Sequence, residues 1–176
     1  GYLEVDTPVL QPLYGGASAR PFTTFHNTLD QKLYLRIASE LYLKRLIVGG
    51  IERVYEIGKN FRNEGMDKNH NPEFTMLEFY ESYSDLSDMI AHTESIMKQI
   101  AKIIGKDIFV FNGNKIDLSQ KFKVISMKDL FINYMGINPI ELSDIDLKKI
   151  CSKHNVDYKK YPHRGKVIEK IFSQIV

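Results

Sequence analysis

Two stretches of alternating residues limit what this chain can fold into more than anything else in it. From Arg53 to Glu64 the odd positions Tyr55, Ile57 and Phe61 are apolar, and the even positions Glu56, Gly58, Asn60, Arg62 and Glu64 are polar or small. A period of two puts these sets on opposite faces of a strand. From Glu73 to Tyr83, Phe74, Met76, Glu78 and Tyr80 share one face, and Leu77 and Phe79 share the other. Residues 65–72 are polar and join the two runs as a long hairpin loop. An arginine and several carboxylates therefore lie on a sheet face, where charge is costly unless it binds something. A single Arg–Glu pair on a hairpin is most simply a weak surface salt bridge. One arginine, two glutamates, a phenylalanine and a tyrosine in these positions are not explained that way, and the hairpin reads as a site.

The remaining pattern places elements around that hairpin. Residues 1–12 are expected to be extended, Gly15–Pro21 to be a small-residue loop, and Leu33–Ile37 a strand. Ser39 is expected to cap a helix over 40–48, ended by Gly49-Gly50. Asp85 is the expected cap of a long helix whose stripe is Leu86, Met89, Ile90, Met97, Ile100 and Ile104, ended by Gly105. Residues 108–124 resemble a second hairpin turning at Asn112-Gly113-Asn114. Ser126-Met127-Lys128-Asp129 opens a short helix to about Met135, and further helices are expected at about 144–154 and 164–176. The fold class is α/β (α+β), an antiparallel sheet flanked by helices. The chain starts inside an alternating stretch and closes on Ile171, Phe172, Ile175 and Val176 with no stop signal, so it reads as part of a longer protein.

Composition excludes several classes. With 24 Lys+Arg against 22 Asp+Glu, the net charge of +2 does not mark a general polyanion binder, although a local basic patch stays open. The single cysteine, Cys151, rules out an intrachain disulfide and a multi-cysteine zinc site, and it reads as a packed thiol. His26, His92, His154 and His163 lack metal-ligand spacing. No apolar run reaches the length of a membrane span. Lys148-Lys149 and Lys159-Lys160 read as solvated faces, with nucleic-acid phosphates as the alternative.

Arg62 offers a planar fork of donors suited to a carboxylate or phosphate. Glu64, on the same face, can accept from an amine or a ribose hydroxyl or help hold a metal. His70 is within the loop and can meet outer phosphates, and Phe74 can stack on an aromatic base. Glu78 and Tyr80 can hold an ammonium with one charge, one hydroxyl and an aromatic wall.

Phe61-Arg62-Asn63-Glu64 with His70-Asn71-Pro72-Glu73-Phe74-Thr75-Met76-Leu77-Glu78 closely resembles motif 2 of the class II aminoacyl-tRNA synthetases, in particular the bacterial form of the lysyl-tRNA synthetases. Gly15-Gly16-Ala17-Ser18-Ala19-Arg20-Pro21-Phe22 is similar to that family's loop over the amino-acid pocket. Leu33–Leu46 is similar to the strand and helix that follow it, and Gly1–Pro8 to the tail of motif 1. The match is dense over residues 1–104 and looser over 105–176. The resemblance implies a catalytic core segment over 1–104 and, over 105–176, the insertion that precedes motif 3.

The resemblance also implies roles. Arg62 would bridge the ATP α-phosphate and the lysine carboxylate, stabilising the pentacoordinate phosphorus. Glu64, His70 and Asn71 would contact ATP, and Phe74 would stack on adenine. Gly16 and Glu40 would hold the α-amino group of lysine, and Glu78 and Tyr80 its side-chain ammonium. No metal ligand is assigned in these residues; Mg²⁺ ligands are expected elsewhere in the family's sequence. L-lysine, ATP and tRNA(Lys) are the implied partners, with a homodimeric full-length enzyme, a cytoplasmic location and no membrane. The family's Gly-rich motif 3, its anticodon-binding barrel and most of motif 1 are not found in these residues, so this piece alone is expected to activate lysine poorly. Glu40 also suits a helix N-terminus simply as an acid, and Gly16 a turn. Two other functions stay open: a paralogue that lysylates an elongation factor, and a non-catalytic binding module derived from a synthetase.

Overall fold

The computed structural model describes residues 1–175. They form two compact units, Gly1–Thr93 and residues 94–175. The division falls inside a helix, ahead of the 104/105 limit read from the sequence.

The first unit contains two three-stranded sheets. β1 (Leu3–Glu4) runs parallel to β5 (Arg53–Phe61), which pairs antiparallel with β6 (Glu73–Glu81), in the order β1-β5-β6. β2 (Leu10–Gln11), β3 (Thr23–His26) and β4 (Gln31–Leu35) form an antiparallel sheet in the order β2-β4-β3. β3 has no counterpart in the sequence reading: its Thr-Thr-Phe-His run is exposed throughout and carries no buried alternation. Arg36, just past β4, ties the two sheets through its backbone. Its N–H donates to Val9 O at 2.9 Å, and its carbonyl accepts from Phe61 N at 2.9 Å.

The long hairpin has the expected register, with Glu56 opposite Glu78 and Asn60 opposite Phe74. The faces carry an inversion of ordinary sheet logic. The polar, even-numbered face is the buried one: Glu56 is 2% exposed, Asn60 1% and Val54 0%. The apolar odd face is open, with Ile57 60% exposed. α1 (Glu40–Val48) contacts both β5 and β6 and buries Leu43.

Ser39 does not cap α1 through its side chain, contrary to the expectation. A capping side chain needs an extended backbone, and Ser39 already has helical angles, φ −87° and ψ −8°. Its N–H instead donates to Glu78 Oε1 at 3.1 Å. At α2 (Leu86–Ile104) the expected cap forms. Asp85 Oδ1 accepts from Ser87 N and Asp88 N, and Asp88 Oδ2 accepts from Asp85 N, a reciprocal capping box. The stripe of α2 is only partly covered, since Leu86, Met97, Ile100 and Ile104 are exposed and only Ala101 is buried.

In the second unit β7 (Ile108–Phe111) and β8 (Asn114–Asp117) pair across Asn112 and Gly113, with φ of 49° and 79°. Two positive φ values in succession define the turn that suits a twisted hairpin, and Asn-Gly adopts it at least cost. α3 (Met127–Met135), α4 (Asp144–Lys153), a 3₁₀ turn (Tyr158–Lys160) and α5 (Arg164–Ile175) follow. Ser126 and Ser143 cap α3 and α4. Val176, the last position of the expected final helix, lies outside the described residues. Phe131, Leu147, Cys151, Val156, Val167 and Ile171 form this unit's core. Burying each aliphatic side chain contributes roughly 1.5–3 kcal/mol. Burial also raises the Cys151 thiol above its ordinary value, which suits a packed side chain and not a nucleophile.

Candidate active site

The buried face of the β5–β6 hairpin carries two groups of functional side chains. At the loop end, the ladder continues past β5 because Arg62 N donates to Pro72 O at 2.8 Å. This aims Arg62 across the face, and its guanidinium carbon lies 5.0 Å from the Phe74 ring centroid. The two line a cleft of about 360 Å³ with Glu64, Gly65, Asp67, Lys68, Asn69, His70 and Asn71. All five residues read from the sequence as ATP contacts, Arg62, Glu64, His70, Asn71 and Phe74, thus share one cavity.

The loop holds its shape through its own polar groups. Asn71 Nδ2 donates to Glu73 O at 2.7 Å. His70 Nδ1 lies 2.8 and 2.9 Å from the Asp67 carboxylate oxygens. The Asn69 N–H and then His70 hold the Asp67 carboxyl below its usual range. Arg20, which no part of the sequence reading singled out, fastens the 15–21 loop to this end. Its N–H donates to Glu64 Oε1 at 3.3 Å, and its carbonyl accepts from Asn63 N at 2.8 Å.

Two buried polar atoms here have no partner among the described residues: Arg62 Nε and Asn60 Oδ1. Leaving such a group unpaired costs on the order of 1–3 kcal/mol, so an orphaned guanidinium N–H at a cleft marks a place for a ligand oxygen.

At the other end, Gly16, Glu40, Glu78 and Tyr80 converge. Gly16 has φ +84°, and a Cβ there would lie 2.7 Å from Glu40 Cβ and 3.2 Å from Ala38 Cβ. Only glycine lets the loop backbone lie this close to Glu40. The Glu78 carboxylate is held from both sides, by Ser39 N at 3.1 Å and by Tyr80 OH at 3.0 Å. Burial first, then the charges of Glu78 and Glu40, raises the Tyr80 hydroxyl far above its ordinary value, so it stays a donor. Lys44, also missed from sequence, sends its ammonium into this group. It donates to Glu40 Oε1 at 2.6 Å and lies 5.9 Å from the Tyr80 ring centroid. Glu40 therefore already pairs with one primary ammonium, an exposed one four residues along α1.

Beneath the face sits a buried cluster that sequence reasoning also missed. The Arg36 guanidinium is ion-paired with Glu56, donates from Nε to Lys59 O at 2.8 Å, and donates from Nη1 to Thr7 O and Thr7 Oγ1 at 3.1 Å each. Thr7 Oγ1 donates in turn to Glu56 Oε2 at 2.6 Å. Arg36 directly after an apolar run and Gly58 as the one side-chain-free position on the polar face were the available signals. Neither says which carboxylate the arginine meets. Among the described residues no three His, Cys, Asp or Glu groups converge as metal ligands, and none of their helices is long and apolar enough to cross a membrane. His92 is tied to Glu81, with its Nε2 2.9 Å from Oε2.

A family model described as tRNA synthetases class II (D, K and N) matches residues 1–166. The chain belongs to this family. It is 49% identical over 175 residues to the lysine–tRNA ligase of Metamycoplasma arthritidis, covering 99% of this chain and 36% of that protein. It is 53% identical over 157 residues to the lysine–tRNA ligase of Methanoculleus marisnigri, covering 89% and 31%. With the lysine–tRNA ligase of Roseiflexus it shares 49% over 178 residues, 100% of this chain and 36% of the relative. The chain thus spans about a third of the length of these relatives. The matched region contains both ends of the hairpin face, so the family's likeness and the clustered side chains fall on the same residues.

Proposed function

We propose that this segment supplies the ATP-gripping and lysine-gripping hairpin of a lysine–tRNA ligase. One observation carries the reading: a single sheet face has an arginine–phenylalanine cleft at one end and a doubly acidic, tyrosine-walled ammonium pocket at the other. Two carboxylates there suit lysine and would repel an acidic amino acid. ATP lies in the cleft with adenine on Phe74 and phosphates toward Arg62 and His70, while Glu64 and Asn71 steady the nucleotide. Lysine places its α-amino group at Gly16 and Glu40 and its side-chain ammonium at Glu78 and Tyr80.

A lysine carboxylate oxygen then attacks the α-phosphorus, and the bond to the β-phosphate oxygen breaks. Lysyl-adenylate and pyrophosphate result. A terminal hydroxyl of tRNA(Lys) next attacks the acyl carbon, and AMP leaves. Arg62 acts by charge and position, its orphaned Nε–H finding a partner oxygen only when ligand is bound. Mg²⁺ neutralises phosphate charge when it accompanies ATP. The described residues do not form a cage for it, and each role above belongs to the chain's own groups. The reading brings with it a homodimeric, cytoplasmic enzyme.

The test is a chimaera in which these residues replace the matching third of the Metamycoplasma arthritidis ligase. Lysine-dependent ATP–pyrophosphate exchange is expected, and Arg62→Ala is expected to abolish it. Exchange that survives Arg62→Ala defeats the assignment. The 176-residue chain by itself is expected to bind ATP and to exchange poorly; robust exchange by it alone would overturn that part.

A further inference from the structure

The charge of this chain is segregated. Residues 144–176 hold eight Lys+Arg and four Asp+Glu, net +4, so the preceding residues, with 16 against 18, sum to −2. Three of the four acids in the basic segment are spent on neighbours: Asp144 on Arg164, Asp146 on Lys149 and Glu169 on Lys166. The fourth, Asp157, turns its carboxylate back to accept from Lys159 N at 3.0 Å. Lys148, Lys153, Lys159, Lys160 and Lys170 have no carboxylate partner among the described residues.

Two of these cations share a cleft. Lys148 on α4 and Lys159 on the 3₁₀ turn line one cleft of about 660 Å³ with Ser152, Asp157 and Tyr158. The tyrosine ring packs on the unit's core and holds the Lys148 ammonium 5.1 Å from its centroid. The cleft therefore combines a positioned ammonium, a second free one and the Tyr158 hydroxyl, since Ser152 Oγ already donates to Lys148 O at 3.1 Å. Its one carboxylate, Asp157, accepts from Lys159 N, and the two ammoniums outnumber it.

We propose that this cleft, in the second unit, grips the sugar–phosphate backbone of RNA. The identity of that RNA as tRNA rests on the ligase reading. Cations with a hydroxyl donor beside them match phosphodiester oxygens, and none of these groups reads a base edge, so they set register and affinity without selecting sequence. A ridge of phosphates enters a cleft, whereas a flat anionic bilayer meets only its rim.

The probe is a fluorescent RNA hairpin with the shape of a tRNA acceptor stem, titrated with the 176-residue chain by anisotropy at several salt concentrations. Lys148→Gln/Lys159→Gln is expected to weaken binding about tenfold at low salt. It should also flatten the log–log salt slope by about 1.5, because two phosphate contacts are lost. Lys148→Arg/Lys159→Arg is expected to keep both. ATP binding in the Arg62 cleft is expected to be unchanged in all three proteins, which separates failure here from failure of the ligase reading. Unaltered affinity and slope in the glutamine variant overturns the proposal. So does binding to anionic vesicles with none to the RNA.

Discussion

Gly58→Ala is the sharpest single test of how the site is supported. In an ordinary strand this change is favourable, because alanine loses less backbone entropy than glycine, by about 0.5–1 kcal/mol. Here a Cβ would sit 2.2 Å from Arg36 Nη2 and 3.1 Å from Glu56 Oε1. Arginine tips usually move aside cheaply, but this one is buried and is held by Thr7, Glu56 and the Lys59 carbonyl. Displacing it leaves the Glu56 carboxylate buried without its cation, which costs on the order of 3–5 kcal/mol. The net expectation is a loss of about 2–4 kcal/mol after the alanine gain is subtracted. With a urea dependence of roughly 2 kcal/mol per molar, the midpoint falls by about 1–2 M. Hydrogen exchange of the β5 and β6 amides across a urea series isolates this unit from the other. A midpoint that is unchanged or raised would show that Arg36 is not fixed over Gly58, and the account of the buried cluster would fail. ATP affinity should fall with stability, since the Arg36–Lys59 bond braces β5 one residue before Asn60.

Gly16→Ala forces a left-handed backbone on a residue with a Cβ, costing about 1–2 kcal/mol, and drives that Cβ into Glu40. Lysine binding to the chain, measured calorimetrically, is expected to weaken at least tenfold with ATP binding unchanged; equal lysine affinity would remove Gly16 from the pocket. Phe74→Leu is expected to lower ATP affinity about tenfold, as a stacking and cation–π surface is worth about 1–1.5 kcal/mol, and to leave inorganic triphosphate binding unaltered. An equal loss for triphosphate would place the ring elsewhere than under the base.

Hydrogen bonds from Arg53, then Tyr2, then His92 hold the Glu81 carboxyl at about 2, below its ordinary 4.5. Because its folded value is depressed, its stabilisation is complete above about pH 4.5 and is lost as pH falls toward 2. Glu81→Gln should therefore flatten the acid limb of stability in that window, as read by circular dichroism against pH. An unchanged acid limb would show the network to be idle.

The hairpin, α1, the caps of α2 and α3 and the Asn112-Gly113 turn were legible because their causes are local. Period two, a side chain that bonds the backbone three residues on, and a positive φ that Asn and Gly tolerate all act within a few residues. The family likeness assigned roles to Arg62, Glu64, His70, Asn71, Phe74, Gly16, Glu40, Glu78 and Tyr80, and tertiary structure brings them together at two ends of one face. What the sequence could not decide is which side of that hairpin is inside. Pattern alone would bury Ile57 and expose Glu56, yet the reverse holds. Arg36 and Thr7 reach Glu56 from twenty and forty-nine residues away, and Gly58 leaves the space that lets the guanidinium lie flat. Burial of charge depends on partners that meet only in three dimensions. The short, exposed β3 and the Ser39 N–H bond to Glu78 have the same origin, whereas the Lys44–Glu40 pair is a local contact between residues four apart on α1. Local chemistry set the elements and their alternation, and long-range ion pairing chose the face on which the candidate site stands.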